Sequence, residues 1–266
     1  MILRKTGKDL IKSGWQVIKY IPGLRNEPAD MRSEHILALI PAWNEATRIG
    51  PVVKETGHQL PVLVVDDGSS DETADVAAAA GAVIIRHDNK LGYGRALRTG
   101  FGWALKNGHH AVLTLDADGQ HDPADIPKFL AAFRSGPWDL IIGRRNFRQV
   151  PFHRRYTTRF GSWLLQLALK QPVHDNSCGF RLYSRPLLEK LSFSTTGFEL
   201  TAEAIILTAF GGHPIGWVDI QTIYDTGKKS NFRPVRDGYR FFATVGRAVR
   251  HRIKHGLSAG DGSWRS

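Results

Sequence analysis

Long apolar runs, paired cysteines and acidic residues are what this chain has little of. No uninterrupted apolar stretch approaches the ~20 residues that a membrane-spanning helix requires, and the first residues hold no apolar core of a secretory signal. The single cysteine, Cys178, excludes an internal disulfide and suits a reducing compartment. Together these absences predict a protein made and kept in the cytoplasm, on or off a membrane surface. Acidic residues number 25 against 36 Lys and Arg in 266 residues, giving a net charge of +11 and a pI near 9.9. That imbalance implies an anionic partner: nucleic acid, an acidic membrane surface or a phosphorylated substrate. The 42% of hydrophobic and 23% of charged residues are ordinary for a folded protein. The length suffices for one domain with a sizeable core plus extensions.

What is present is an alternation. Apolar, β-branched runs recur as ILALI (36–40), VLVVD (62–66), VIIRH (83–87), AVLTLD (111–116) and LIIG (140–143). Between them lie segments such as ETADVAAAAG and GRALRTGFGWALKNG, whose small and apolar residues repeat at helical spacing. The pattern predicts βαβ units and an α/β fold with a mostly parallel sheet covered by helices on both faces. Ligands in such sheets bind at the carboxyl ends of the strands. The residues found there read PAWNE, DDGSSDET, DNKLGYGRA, ADGQHD and RRNF. Helix capping and turn formation account for Asp71 and Asp67-Gly68, but not for Asp66, Asp116 and Asp118 gathering at one edge.

Residues two apart on an extended strand end point to one side, so Asp116 and Asp118 can converge on a hard cation with Gln120 nearby. Mg²⁺ and Mn²⁺ take oxygen ligands and are commonly completed by substrate phosphates, which would make the acidic crevice a diphosphate site. The spacing does not fit a calcium-binding EF-hand loop. LGYGRALRTG is a weak dinucleotide fingerprint, since Leu97 stands where its third glycine belongs.

After Phe147 the alternation breaks into a basic, aromatic segment, then HDNSCGFRLYSR, a helical FELTAEAIILTAFGG, an extended IGWVDIQTIYD and TGKKSNFRPVRDGYR. At the ends, Leu10, Ile11, Trp15, Ile18 and Ile21 follow helical spacing among lysines. Phe241, Val245, Val249 and Ile253 do so among Arg240, Arg247, Arg250, Arg252 and Lys254. Such stripes suit helices lying in a membrane interface, or packing on the domain with a solvated basic face. The expected division is a basic amphipathic extension over 1–33, a catalytic domain over 34–235, and a basic amphipathic helix and tail over 236–266.

PAWNE, VVDDGSSDET, the Asn89 to Gly100 run N-x-x-G-x-G-x-A-x-x-x-G, DADGQHDP, Gly143-Arg144-Arg145 and DNSCGFRLYSR together resemble the ordered motifs of glycosyltransferase family 2. The likeness is to its polyprenyl-phosphate branch, that of dolichyl-phosphate mannosyl- and glucosyltransferases, and covers roughly Ile36 to Arg240. It implies a GT-A nucleotide-diphospho-sugar fold and an inverting transferase. It places Pro41, Ala42, Asn44 and Glu45 at the nucleotide of the donor, Asp66 at its base or ribose, and Asp67, Lys90, Gly94 and Ala117 beside them. Asp116, Asp118 and Gln120 become ligands of Mg²⁺ or Mn²⁺. Asp175 matches an aspartate near the reacting centre, there to orient the acceptor or act as base.

A polyprenyl phosphate is already anionic at neutral pH, because its second pKa is about 6, so cations matter more than a base. Arg144 or Arg145, Arg181, and Lys228, Lys229 and Ser230 with Arg233 suit that work, guanidinium pairing bidentately with phosphate. Lys229 and Arg233 are assigned to the donor. Glu199 and Glu203, a helical turn apart, fit a capping or a catalytic role equally. The resemblance further implies a nucleotide-sugar donor, a polyprenyl-phosphate acceptor and an anionic membrane surface as partners. The absence of C-terminal spanning helices leaves docking to the basic ends, with room for an integral-membrane partner. The rival readings are a transferase acting on a soluble or saccharide acceptor, a nucleic-acid-binding protein and a degenerate scaffold. No nucleic-acid-binding motif is present to support the second, and Asp116 and Asp118 speak against the third.

Overall fold

The computed structural model describes residues 15–19, 35–146, 152–223 and 234–255. Its strands are β1 (Trp15–Lys19), β2 (Ile36–Ala42), β3 (Val62–Asp66), β4 (Val83–His87), β5 (Ala111–Thr114), β6 (Leu140–Arg145), β7 (Arg181–Ser184) and β8 (Ile215–Ile220). Its helices are α1 (Ala46–Gly57), α2 (Thr73–Ala79), α3 (Tyr93–Lys106), α4 (Ile126–Ser135), α5 (Phe152–Leu169), α6 (Arg185–Lys190), α7 (Leu200–Phe210) and α8 (Pro234–His255), with a 3-10 turn at Pro123–Asp125. The strands form one sheet in the order β1-β4-β3-β2-β5-β7-β6-β8. β2, β3, β4 and β5 run parallel, as do β6 and β8, whereas β7 is antiparallel to both β5 and β6.

All seven residues of β2 and all five of β3 are buried, which is why these strands read as unbroken apolar runs. α3 lays a face of small residues on the sheet: Gly94, Ala96, Gly100 and Ala104 are buried, and a methyl group at Gly100 would collide with Leu39. α7 is buried almost all round and packs among α8, α5 and β8.

Two features position the site. From β2 the chain winds outward through β3 and β4, then returns to place β5 on the other side of β2, so the winding reverses between β2 and β5. Crevices open at such reversals, outside the carboxyl ends of the strands. Secondly, Thr114 of β5 and Ile142 of β6 both pair with Arg181 at the start of β7. The residues leaving β5, those leaving β6 and those entering β7 therefore meet at one place.

The N-terminal stripe is corrected. Trp15 to Lys19 form an edge strand antiparallel to β4, with Trp15 opposite His87 and an irregularity between Val17 and Lys19. WQVIK is rich in β-formers, and the open edge of β4 offers backbone partners that an isolated helix lacks. Leu10, Ile11 and Ile21 lie outside the described residues. The C-terminal helix exists as α8, but Val245 is buried and Phe241 packs against the core. That half of the stripe thus faces the domain, not an interface, while the side chains of Val249 and Ile253 lie outside the described set.

Candidate functional site

The loops after β2 and β3 are stitched together. Asn44 takes a left-handed backbone with φ 54°. Its amide donates to Ser69 Oγ at 2.9 Å and its side-chain oxygen accepts from the Ser70 amide at 2.8 Å. The Glu45 amide donates to Thr73 Oγ1 at 2.8 Å, and its carboxylate lies 3.4 Å from Arg48. Pro41 and Ala42 are buried in the end of β2 and present the Trp43–Glu45 loop to the crevice. The Lys90 ammonium lies over the Trp43 ring.

Asp66 and Asp67 divide their labour. Asp66 is fully buried; its Oδ1 accepts from the Ser69 amide and hydroxyl. Its Oδ2 has Arg86 Nε at 3.2 Å and no aligned hydrogen bond. Asp67 is spent on structure: Oδ1 takes the Leu91 amide at 2.9 Å and His87 Nδ1 at 2.8 Å, and Oδ2 takes the Gly92 amide at 2.7 Å. It clamps the glycine loop rather than touching a donor, which corrects its assignment. Gly94 likewise gives its N–H to Thr196 O at 2.9 Å. A methyl group there would sit 2.8 Å from the Thr196 carbonyl carbon, so glycine serves close backbone contact and not phosphate binding.

The acidic segment follows β5. Ala117 is buried while Asp116 and Asp118 stand at the crevice, and the Asp118 carboxylate accepts the Gln120 amide at 3.1 Å across Gly119, whose φ is 75°. The Asp116 amide donates to His121 Nδ1 at 3.1 Å. Tyr93 donates its hydroxyl to Asp116 Oδ1 at 3.2 Å, and burial keeps that phenol protonated. Gly179 lies against the same carboxylate, with a methyl group there only 2.7 Å from Asp116 Oδ1. Burial first, and the charge of Asp118 beside it, raise the Asp116 carboxyl above its ordinary range, against the pull of His121, Tyr93 and Arg145. The two carboxylates suit a hard divalent cation, which would relieve that crowding of negative charge. Among the described residues no group of three or more His, Cys, Asp or Glu side chains could hold a metal alone. A cation here would need the oxygens of a bound diphosphate.

Opposite stands Arg145. Its Nε donates to Asp175 Oδ2 at 2.6 Å, and its Nη2 to Asp175 Oδ1 at 2.9 Å and to Ser177 Oγ at 2.6 Å. Asp175 is fully buried and also accepts the amides of Ser177 and Cys178, both at 3.1 Å. With both oxygens taken, it aims Arg145 and is not placed as a base, which corrects half of its expected role. Side chains alternate along β6, so Arg144 points away and pairs with Asp219 of β8 at 2.6 and 2.8 Å. Of the two arginines only Arg145 belongs to the crevice.

Arg181 is a further correction. It is fully buried and donates to three backbone carbonyls: Cys178 and Thr201 at 2.6 Å and Asn176 at 3.1 Å. It braces the turn carrying Asp175 and Gly179, out of reach of any acceptor. Lys228, Lys229, Ser230 and Arg233 lie outside the described residues. Glu203 accepts from the amides and hydroxyls of Ser194 and Thr195, anchoring the loop that covers Gly92 and Gly94. Glu199 is buried, takes the Gly197 amide at 3.2 Å and lies 3.9 Å from Arg240. Tyr93, Gly179, Arg86 and Phe198, which stacks on Tyr93, escaped the reading of the sequence. DNSCGF and LGYG held two of them in plain view.

Residues 38–192, more than half the chain, match the profile of "Glycosyl transferase family 2". The chain belongs to glycosyltransferase family 2. It is a glycosyltransferase. Polyprenol monophosphomannose synthase of Mycolicibacterium smegmatis is 33% identical over 187 residues, 65% of this chain and 70% of that protein. Undecaprenyl-phosphate mannosyltransferase of Micrococcus luteus is 28% identical over 240 residues, 84% of this chain and 95% of the relative. In three dimensions the chain resembles glucosyl-3-phosphoglycerate synthase of Mycobacterium tuberculosis, solved with Mn²⁺, UDP and glucosyl-3-phosphoglycerate. The TM-score is 0.65 at 21% identity, with 81% of this chain and 80% of the other covered. At that identity the likeness shows the fold, GT-A. The family-2 transferase therefore carries its acidic pair at the reversal of the sheet and a braced arginine opposite it.

Proposed function

We propose that this transferase moves one sugar from a nucleoside diphospho-sugar of the GDP-mannose or UDP-glucose type to a polyprenyl phosphate, with inversion, at the cytoplasmic face of a membrane. The observation that carries the reading is Arg145: a guanidinium locked by the buried Asp175 at the end of β6, where the chain leaving β5 also meets the start of β7. A cation held opposite an acidic pair suits a reaction that brings two anions together. Asp116, Asp118 and Gln120 would hold Mg²⁺ or Mn²⁺, whose contribution is to neutralise charge gathering on the departing nucleoside diphosphate. Asp66 would receive the base or ribose, and the Asn44–Glu45 loop the rest of the nucleoside. Lys229 and Arg233 are proposed for the donor's phosphates.

The acceptor reading follows from the chemistry. One oxygen of a phosphate monoester, already ionised at neutral pH, attacks the anomeric carbon as the bond to the diphosphate breaks. No proton has to be removed, which agrees with Asp175 being engaged in positioning. The names of the mycobacterial and Micrococcus relatives support a lipid phosphate as acceptor.

The test is incubation of the purified protein with candidate nucleotide sugars, a polyprenyl phosphate in detergent, and Mg²⁺ or Mn²⁺, followed by mass spectrometry of the organic extract. A sugar-phosphate lipid that disappears with chelator, and in the Asp116→Asn/Asp118→Asn variant, is expected. Donor binding or hydrolysis without lipid product would overturn the acceptor and put a soluble or saccharide acceptor in its place.

A further inference from the structure

Five large apolar side chains stay exposed on two neighbouring helices. On α5, Phe160, Trp163 and Leu167 are each more than half exposed; on α8, Tyr239 is 76% and Phe242 49% exposed. Their spacing of three and four residues puts each set on one helix face. The two sets join, since the Phe160 ring lies 5.8 Å from Trp163 and 6.3 Å from Phe242. A contiguous patch of this kind on a soluble surface marks an interaction site.

The charge around the patch identifies what covers it. α5 contains three arginines and no acidic residue, and α8 contains six Arg and Lys against one Asp. Arg159, Arg247 and Arg250 are exposed on these helices. A two-fold contact between copies of the chain would set each arginine cluster near its own image, because such an interface is made of one patch facing itself. A bilayer with anionic headgroups meets the aromatic patch and its cations together.

The same helix touches the site. The inner face of α5 holds the segment next to Asp175: Ser162 Oγ accepts the Asn176 amide at 3.2 Å, and Thr158 Oγ1 lies 3.3 Å from Ser177 Oγ, itself bonded to Arg145. A helix is about 10 Å across. A phosphate at the surface in which the outer face rests is thus about one helix width from the cation that would receive it.

We propose that α5 and α8 form a docking face for an anionic lipid bilayer, with Phe160, Trp163, Leu167, Tyr239 and Phe242 in the headgroup–acyl boundary and Arg159, Arg247 and Arg250 at the lipid phosphates. The inference rests on the reading of a lipid-borne acceptor. It replaces the N-terminal stripe, and the Phe241 and Val245 half of the C-terminal one, with residues that are exposed.

The test is sedimentation of the full chain with vesicles free of acceptor, of phosphatidylcholine alone or mixed with phosphatidylglycerol. Binding to the mixed vesicles is expected, weakened by salt. Phe160→Ser/Trp163→Ser and Phe242→Ser should each lower partition by about tenfold or more, as for withdrawing one large apolar side chain. Arg247→Gln/Arg250→Gln should remove most of the preference for anionic lipid. Unchanged unfolding midpoints would show that these variants fold, and lipids brominated in the acyl chain should quench the wild type more than Trp163→Phe. Equal partition of wild type and patch variants would overturn the proposal. So would a wild-type dimer that Phe160→Ser/Trp163→Ser converts to monomer. Transfer to a short-chain prenyl phosphate in detergent separates the two readings. If it proceeds while vesicle binding is indifferent to the patch, the docking face is wrong and the reaction stands. If it fails while binding depends on the patch, the acceptor is wrong and the face stands.

Discussion

Replacing Arg181 by Met tests whether this residue braces the fold or binds the acceptor. The guanidinium is fully buried and gives three hydrogen bonds to the carbonyls of Cys178, Thr201 and Asn176. Methionine fills a similar volume but leaves those acceptors without a donor. A buried group left unsatisfied costs about 1–3 kcal/mol, so three would cost roughly 3–9 kcal/mol before relaxation. Removing the desolvation cost of the guanidinium itself offsets part of this. A net loss of about 3–5 kcal/mol is expected, a large share of the 5–15 kcal/mol that holds a typical domain. The assay is urea unfolding followed by circular dichroism at fixed nucleotide concentration, with Arg181→Lys as companion. Lysine keeps the charge but reaches fewer of the carbonyls, so its loss should fall between wild type and Met. A Met variant within about 1 kcal/mol of wild type that has lost affinity for a phosphorylated acceptor would refute the bracing role and return Arg181 to the acceptor site.

Arg145→Lys keeps a positive charge but not the fork that meets Asp175. The KM for a phosphorylated acceptor should rise at least about tenfold, with donor KM unchanged, in initial-rate kinetics. Asp116→Asn/Asp118→Asn should cut transfer at least about a hundredfold and abolish Mn²⁺ binding in the presence of nucleoside diphosphate, read by calorimetry. Gly94→Ala should destabilise by about 1–3 kcal/mol in urea unfolding, because its methyl group meets the Thr196–Gly197 backbone rather than a movable side chain. Burial pushes the Cys178 thiol up to about 12, so at pH 8 only about one molecule in ten thousand carries the thiolate. Iodoacetamide should therefore label Cys178 only after unfolding, which intact-mass measurement with and without urea will show.

The strands were legible because β2, β3 and β5 are buried on both faces, and double burial writes itself as unbroken apolar runs with polar loops between them. For the same reason the acidic pair falls at the exit of β5, beside the reversal of the sheet. Trp15 to Lys19 were misread because five residues fit a helical stripe and a strand alike, and only the open edge of β4 chose between them. The C-terminal stripe was read as one face, but the packing of α8 turned Phe241 and Val245 inward and left Tyr239 and Phe242 outside.

Among the cations, local sequence carries no direction. Arg144, Arg145 and Arg181 look alike as phosphate ligands; strand alternation sends the first to Asp219, and the pairing of β7 between β5 and β6 buries the last. The sequence by itself determined the fold class, the family and the acidic pair, since each rests on burial periodicity or on motifs contiguous in the chain. Only the tertiary structure decided which aspartates are spent on backbone amides, which arginine faces Asp116 and which aromatics remain exposed. Asp67 on the Leu91 amide, Arg145 on Asp175 and Phe160 beside Phe242 are contacts between residues distant in the chain, and such a contact leaves no mark on either one's neighbours in sequence.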